Sequence, residues 1–242
     1  MQVLFEGPVC RRQRTLKSKW CLTPMRNWGK YGYKPKLNFT SCAVVGNSDT
    51  LLNRRKPRGR LINEHSVVIR FNMAPTRKYE KFAGAWSDST IRVQNKERGG
   101  FAERQGEFCV VWRNNNYVKK HSDKKCKVRK MTPQFEKYAA TYWAMHNMRG
   151  RPYRRGQQAK LSNGFLGMVI ALHNCASVSL FGFSQGSGHY YKKFTGKPKG
   201  FGDPTSKIEL NKRRHSGRHS WVAERACMAK LSRELDEVRI YK

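Results

Sequence analysis

Three short apolar runs in this chain end in residues able to hold a polar ligand. Cys42–Val45 runs into Gly46-Asn47-Ser48, Val67–Phe71 into Asn72-Met73-Ala74-Pro75, and Val178–Phe181 into Gly182-Phe183. An Asn side chain offers a donor and an acceptor without charge, which suits a ribose or phosphate held in a turn. Singly, each is also ordinary turn chemistry. Two other patterns compete for the same residues. Gly182-Phe183-Ser184-Gln185-Gly186 matches Gly-x-Ser-x-Gly, and Asp203 and His219 follow in the chain order of an α/β-hydrolase triad. That elbow must pass at once into a helix, whereas Ser187-Gly188-His189 and Thr195 to Gly200 read as loop. His215 and His219, four apart, could share a helix face as zinc ligands, but Gly217 separates them and no third ligand follows at a familiar spacing. His173 lies in an apolar stretch and reads as a core residue.

These turns need a scaffold. Cys42–Gly46, Val67–Phe71, Phe108–Trp112, Val178–Phe181 and Val238–Tyr241 read as strands. Thr132-Pro133 opens a capped helix over Gln134 to His146, and further helices are expected over Gly164–Asn174 and Arg218–Leu231. Strands alternating with helices predict an α/β fold with a mostly parallel sheet covered on both faces. Ligands of such sheets bind at the carboxyl ends of strands, where the three turns lie.

Charge supplies a different argument. The 242 residues carry 50 Lys or Arg against 16 Asp or Glu, a formal charge of +34. At 38% hydrophobic and 12% aromatic the chain can bury a core, which excludes simple disorder. The basic residues cluster in 1–40, 119–130 and 192–218, while Leu161 to Phe183 contains no charged residue. The clusters are solvated loops or a surface for a charged partner. Trp20, Trp28, Tyr31 and Tyr33 in basic surroundings could stack on bases, so a non-enzymatic nucleic-acid binder is the alternative from another class. Residues 1–40 read as an arm or linker whose first eight residues look like a protease-site remnant of expression, with the catalytic domain over 41–242. No cleavable secretory signal or membrane-spanning run is visible.

In combination the turns are more specific. Cys42-Ala-Val-Val-Gly-Asn-Ser48 with Val67-Val-Ile-Arg-Phe-Asn-Met-Ala-Pro75 resembles the large sialyl motif of the animal-type sialyltransferases. Leu161-Ser-Asn-Gly164, Ala171-Leu-His-Asn-Cys175 and Val178-Ser-Leu-Phe-Gly-Phe183 resemble the small motif. Gly188-His-Tyr-Tyr191 resembles the third motif, and His219-Ser-Trp-Val-Ala-Glu224 the very small one. The resemblance implies a variant GT-A-like glycosyltransferase with a single Rossmann-like sheet. It implies inverting transfer of sialic acid, or a related keto-sugar acid, from a cytidine monophosphate (CMP) sugar to a glycan hydroxyl. Asn47 and Asn72 would bind ribose and phosphate, and Ser162, Gly164, Gly182 and Phe183 would line the nucleotide pocket. His189 would meet the departing phosphate, and His219 would be the general base, a role that suits an imidazole near neutrality. No metal or other cofactor is expected, and no specific nucleic-acid partner. The acceptor would be a glycan, with the basic loops suiting an anionic one. Asp49, Ser66, Asp88–Arg92 and Lys192 depart from the family pattern, leaving the sugar and acceptor open.

Seven Cys occur, at 10, 21, 42, 109, 126, 175 and 227. The resemblance implies a Cys42–Cys175 bridge, worth about 4–5 kcal/mol in the chain-entropy model; two buried free thiols are the other reading. An odd count leaves at least one thiol free. Asn38-Phe39-Thr40 is an N-glycosylation sequon. The resemblance implies a Golgi-lumenal catalytic fragment of a single-pass protein, without the membrane anchor, and the sequon fits a lumenal protein.

Overall fold

The strand runs hold consecutive apolar residues, such as Val44-Val45, Val67-Val68-Ile69 and Val110-Val111, as strands buried on both faces of a parallel sheet do. A computed structural model describes residues 39–87, 89–95, 100–111, 126–131, 139, 161–184, 188–192 and 221–241. Its strands are β1 (Phe39–Val45), β2 (Val67–Phe71), β3 (Thr90–Gln94), β4 (Phe108–Val111), β5 (Lys127–Lys130), β6 (Cys175–Phe181) and β7 (Val238–Tyr241). They form one sheet in the order β5-β4-β3-β2-β1-β6-β7, and every neighbouring pair is parallel. The expected mostly parallel α/β sheet is thus fully parallel among the described residues. Order runs outward from β1 in both directions, so the switch point lies between β1 and β6.

One face is covered by α3 (Asn163–Asn174) and α4 (Trp221–Glu234), the other by the short helices α1 (Gly59–Asn63) and α2 (Glu80–Ala83) with a 3₁₀ turn over Asp49–Leu52. Val44, Ile69, Phe71, Val93, Val110 and Leu180 pack towards α3, whose residues Phe165 to Asn174 are all buried. That is why 161–183 carries no charge. Gly167 lets α3 approach the sheet: a Cβ there would lie 2.5 Å from Phe71 Cε1. His173 is buried in α3, and burial pushes its pKa down to about 3, so it stays neutral as a core histidine.

The opposite face is divided. Over β1 and β6 it is apolar, with Ala43, Val45 and Phe181 against Leu51 and Ile62. Over β2 and β3 it carries Arg70, Thr90, Arg92 and Gln94, all buried. Arg70 and Arg92 are register partners on neighbouring strands. Arg70 donates to the carbonyls of Ala83 at 2.8 Å, Gly84 at 3.4 Å and Ala85 at 2.9 Å, tying β2 to the end of α2, and burial lowers its pKa to about 10.

Several features extend the sequence reading. β3 was not among the expected strands because its Thr, Arg and Gln look like exposed polar residues. β5 falls within the basic 119–130 cluster; its Lys-rich sequence suits an edge strand, where charge discourages pairing with other chains. β1 begins at Phe39, two residues before the domain boundary expected at 41. Of the helix expected over 134–146, Ala139 alone is described, and it is helical and buried. Cys42 and Cys175 form the expected disulfide, joining β1 to the first residue of β6. A second disulfide, Cys109–Cys126, ties β4 to the residue before β5. Cys227 is a buried thiol outside both disulfides, with its pKa pushed up to about 12 by burial.

Candidate functional site

The turns after β1 and β6 are built against each other. Gly46 N–H donates to the Phe181 carbonyl at 2.7 Å, and a Cβ on Gly46 would lie 2.5 Å from the Gly182 carbonyl oxygen. Gly182 has φ +68°, which glycine alone adopts without strain, and a Cβ there would meet Leu51 at 2.8 Å. A side chain at Gly46 would have to move the Gly182 backbone, and one at Gly182 would strain its own backbone and displace the Leu51 side chain. Both glycines are therefore structural, and together they set the floor of the crevice at the switch point.

Asn47 leaves that floor with its backbone and side chain committed to the 188–192 segment. Its carbonyl accepts from Tyr190 N–H at 3.0 Å and its Nδ2 donates to the Tyr191 hydroxyl at 3.4 Å. Its Oδ1 is buried without a hydrogen-bond partner among the described residues. An unmet buried acceptor is costly, and the few in native proteins commonly mark a ligand or water position. His189 stands beside this residue: it forms an isolated β-bridge with Ser48, and its ring stacks on Tyr191 at 5.3 Å. The third-motif residues and the first turn thus form one cluster.

Asn72 has φ +50°, a left-handed turn tolerated by Asn better than by most residues. Its Oδ1 accepts from Asn95 N–H at 2.8 Å and from Asn163 Nδ2 at 3.3 Å, which leaves its own Nδ2 without a protein partner among the described residues. The two asparagines therefore present opposite functions from adjacent strands, an acceptor from Asn47 and a donor from Asn72.

The N-terminus of α3 completes the arrangement. Ser162 caps it, accepting from Phe165 N–H at 3.1 Å. Ser162 also donates twice to Glu224 of α4, from its N–H at 2.8 Å and its hydroxyl at 2.5 Å. Its hydroxyl is buried, donating to Glu224 and accepting from Phe165, and so fixes the turn that opens α3. Glu224 is buried, and burial raises its pKa to about 7, against the lowering effects of the Ser162 hydrogen bonds and Arg225. Gly164 lies under the Phe183 ring, whose Cε1 would be 2.9 Å from a Cβ. Phe183 in turn packs edge-on against Phe71, 6.3 Å between centroids. The first amides of α3 point out of the helix end, a setting that favours an anion.

Asn47, Asn72, Ser162, Gly164, Gly182, Phe183 and His189 thus gather at the carboxyl edge of β1, β2 and β6. His219, with His215 and Asp203 of the rival readings, lies outside the described residues. Ser184 is described, but residues 185–187, where a hydrolase elbow would enter its helix, lie outside the described residues. Sequence reading missed Arg92, Glu103 and Glu107, which form a buried cluster beneath the Asn72 turn. The only signal was an Arg alternating with Ile91 and Val93. Glu224 was quoted for its motif spacing, without its tie to Ser162.

Comparison with known proteins agrees with this geometry. The model of glycosyltransferase family 29 (sialyltransferase) matches residues 14–97 and 101–234. A CMP-N-acetylneuraminate-β-galactosamide-α-2,3-sialyltransferase 1 of Gallus gallus is 29% identical over 172 residues, covering 62% of this chain and 46% of that protein. A β-1,6-galactosyltransferase of Arabidopsis thaliana is 53% identical over 47 residues, covering 19% of this chain and 11% of that protein. The crystal structure of a mammalian sialyltransferase superposes with a TM-score of 0.59 at 22% identity, covering 100% of this chain and 90% of that one, and so shares the fold. The chain spans less than half the length of the curated relatives it matches. The motifs, the parallel sheet with its switch-point crevice and the family match over most of the sequence together place this chain in glycosyltransferase family 29, the sialyltransferase family.

Proposed function

We propose that this chain is the catalytic part of an inverting glycosyltransferase that moves sialic acid, or a related keto-sugar acid, from a CMP-sugar to a glycan hydroxyl. The observation that supports it most is the pair of amide groups, Asn47 Oδ1 and Asn72 Nδ2, presented from the adjacent strands β1 and β2, with the N-terminus of α3 joined to the second through Asn163. A ribose hydroxyl can donate to the first, a phosphate oxygen can accept from the second, and Gly164 with Phe183 supplies a flat apolar wall for the base. In the reaction the acceptor oxygen attacks the anomeric carbon from the face opposite the nucleotide. The bond to the phosphate oxygen breaks, CMP departs with its electron pair, and His219 takes the acceptor's proton. His189, beside Asn47, donates to the phosphate as its charge grows. No metal or other cofactor is assigned a step.

The acceptor is read as an anionic glycan. Exposed Arg54, Arg55, Lys56 and Arg60 follow the first turn, and Arg77, Lys78 and Lys81 follow the second, with Glu64 and Glu80 as the exposed acids in that stretch. Such a rim would concentrate an acidic substrate. The segment before Phe39, where β1 begins, is read as an arm and the rest of the chain to residue 242 as the catalytic domain. The Golgi lumen is the proposed compartment. The two disulfides favour an oxidising site, and no helix among the described residues is long and apolar enough to cross a membrane.

A galactosyl donor is the second reading, favoured by the stretch shared with the plant β-1,6-galactosyltransferase. A donor-hydrolysis screen decides between them: CMP-sugars should turn over and uridine or guanosine diphosphate sugars should not. Activity confined to the diphosphate sugars overturns the CMP reading. His219→Ala should abolish turnover with CMP affinity kept, and wild-type turnover in that variant would remove His219 as base.

A further inference from the structure

The turn from Asn72 to Arg77 leaves the sheet after Asn72 N–H meets the Val93 carbonyl at 3.0 Å and Ala74 N–H the Phe71 carbonyl at 3.1 Å, and it carries one of the proposed donor contacts. It is gripped from below by a buried ionic cluster. Arg92 Nη1 donates to two of its carbonyls, Asn72 at 2.9 Å and Ala74 at 3.1 Å. Glu107 holds the other side of the same guanidinium in a two-point pair, through Nε and through Nη2 at 2.8 Å. Glu103 lies 3.9 Å from Arg92 Nη2, and its carboxylate accepts from the amides of Thr76 at 2.9 Å and Arg77 at 2.9 Å. Arg92 and Glu107 side chains are fully buried, and Glu103 is nearly so. One cluster therefore binds the carbonyls at the start of the turn and the amides at its end. The turn also reaches the 188–192 segment, because the Tyr190 hydroxyl donates to the Pro75 carbonyl at 2.5 Å.

We infer that Arg92, Glu103 and Glu107 are positioning residues for the donor site, fixing the Asn72 turn and, through Pro75 and Tyr190, the segment that carries His189. The inference rests on the reading that Asn72 meets the donor. A planar guanidinium with five donors suits this task, since it serves carbonyls and a carboxylate at once. Burial explains the choice of charge: charged hydrogen bonds are short and directional, so they hold an irregular turn more tightly than neutral ones. Removing Glu103 leaves the Arg92–Glu107 pair intact, so the clamp can be opened at one end without orphaning a buried charge.

The test compares wild type, Glu103→Ala and Glu103→Gln in the full chain. Hydrogen exchange at the Thr76 and Arg77 amides should accelerate in Glu103→Ala while α3 stays protected. CMP affinity by calorimetry should fall roughly tenfold to a hundredfold, the scale of losing a hydrogen bond to a charged group. Donor KM should rise in step, acceptor KM should not change, and Glu103→Gln, which keeps one acceptor oxygen, should recover part of the loss. Faster exchange with wild-type CMP affinity overturns the inference, as does an equal rise in acceptor KM. A wild-type chain that binds UDP and not CMP overturns the donor reading instead, and the clamp then predicts the same loss measured with UDP.

Discussion

The carboxyl edge of the sheet is assembled by two unlike methods on either side of β1. Between β1, β6 and α3 it is made of glycines and main-chain hydrogen bonds: Gly46 against Gly182, Ser162 capping α3 and Gly164 under Phe183. Between β2, β3 and the loop before β4 it is made of buried charge, with Arg92 and Glu107 beneath a turn that has no regular structure. The first method gives close approach, which an unbulky floor for a nucleotide requires. The second gives grip, because an irregular turn exposes carbonyls and amides that only strong side-chain donors and acceptors can satisfy in the interior. Close approach fails when a methyl group is added, and grip fails when one charge is removed.

The largest effect is expected at the gripped side. Arg92→Met would leave Glu107 buried without its cation, and breaking a buried pair in this way costs about 3–5 kcal/mol. Urea unfolding should show that loss. A midpoint within experimental scatter of wild type would mean that the ionic cluster does not hold the fold. Next comes Glu224, which links the glycine-built side to α4. Its folded pKa of about 7 exceeds the ordinary 4.5, so the folded chain holds the proton more tightly than the unfolded one. Its contribution to stability is therefore full below about pH 4.5 and is lost as pH rises through about 7. The slope should total on the order of 3 kcal/mol. Glu224→Gln should remove it when urea midpoints are compared from pH 5 to 8, and parallel profiles for the two proteins would refute the assignment. Gly46→Ala is the smallest of the three, since relaxation of a crowded site costs about 1–3 kcal/mol. Its effect on CMP affinity should nevertheless exceed that of Glu103→Gln. The reverse order, by calorimetry, would make the gripped side the dominant half of the site.

Legibility followed the same division. Gly46-Asn47-Ser48, Gly182-Phe183 and the cap at Ser162 are local signals, because a tight turn or a helix start selects residues by the conformation of a few adjacent bonds. Val67–Phe71 was readable to the residue, and the charge-free 161–183 run marked the central helix and the β6 strand before any contact was known. β3 escaped because Thr90, Arg92 and Gln94 present a polar face that normally means water, and here that face is buried. Arg92 could not be assigned from its neighbours, since its partners Glu103 and Glu107 lie in a loop beyond the strand. The second disulfide was equally hidden: spacing did not say that Cys109 on β4 and Cys126, just before the neighbouring β5, come together.

The charge shows how far composition reaches. A formal +34 pointed first to nucleic acid, yet the crevice is neutral amide, glycine and aromatic surface with basic residues set around it. The amino-acid sequence alone determined the fold class, the switch-point turns, the Cys42–Cys175 bridge through family resemblance, and the family itself. Each is carried by short-range conformational preference or by ordered motifs. Only the tertiary structure decided which charged residues leave the surface. Burial of Arg70, Arg92, Glu107 and Glu224 depends on partners brought from distant parts of the chain, and the energy of a charge is set by what surrounds it rather than by its neighbours in sequence.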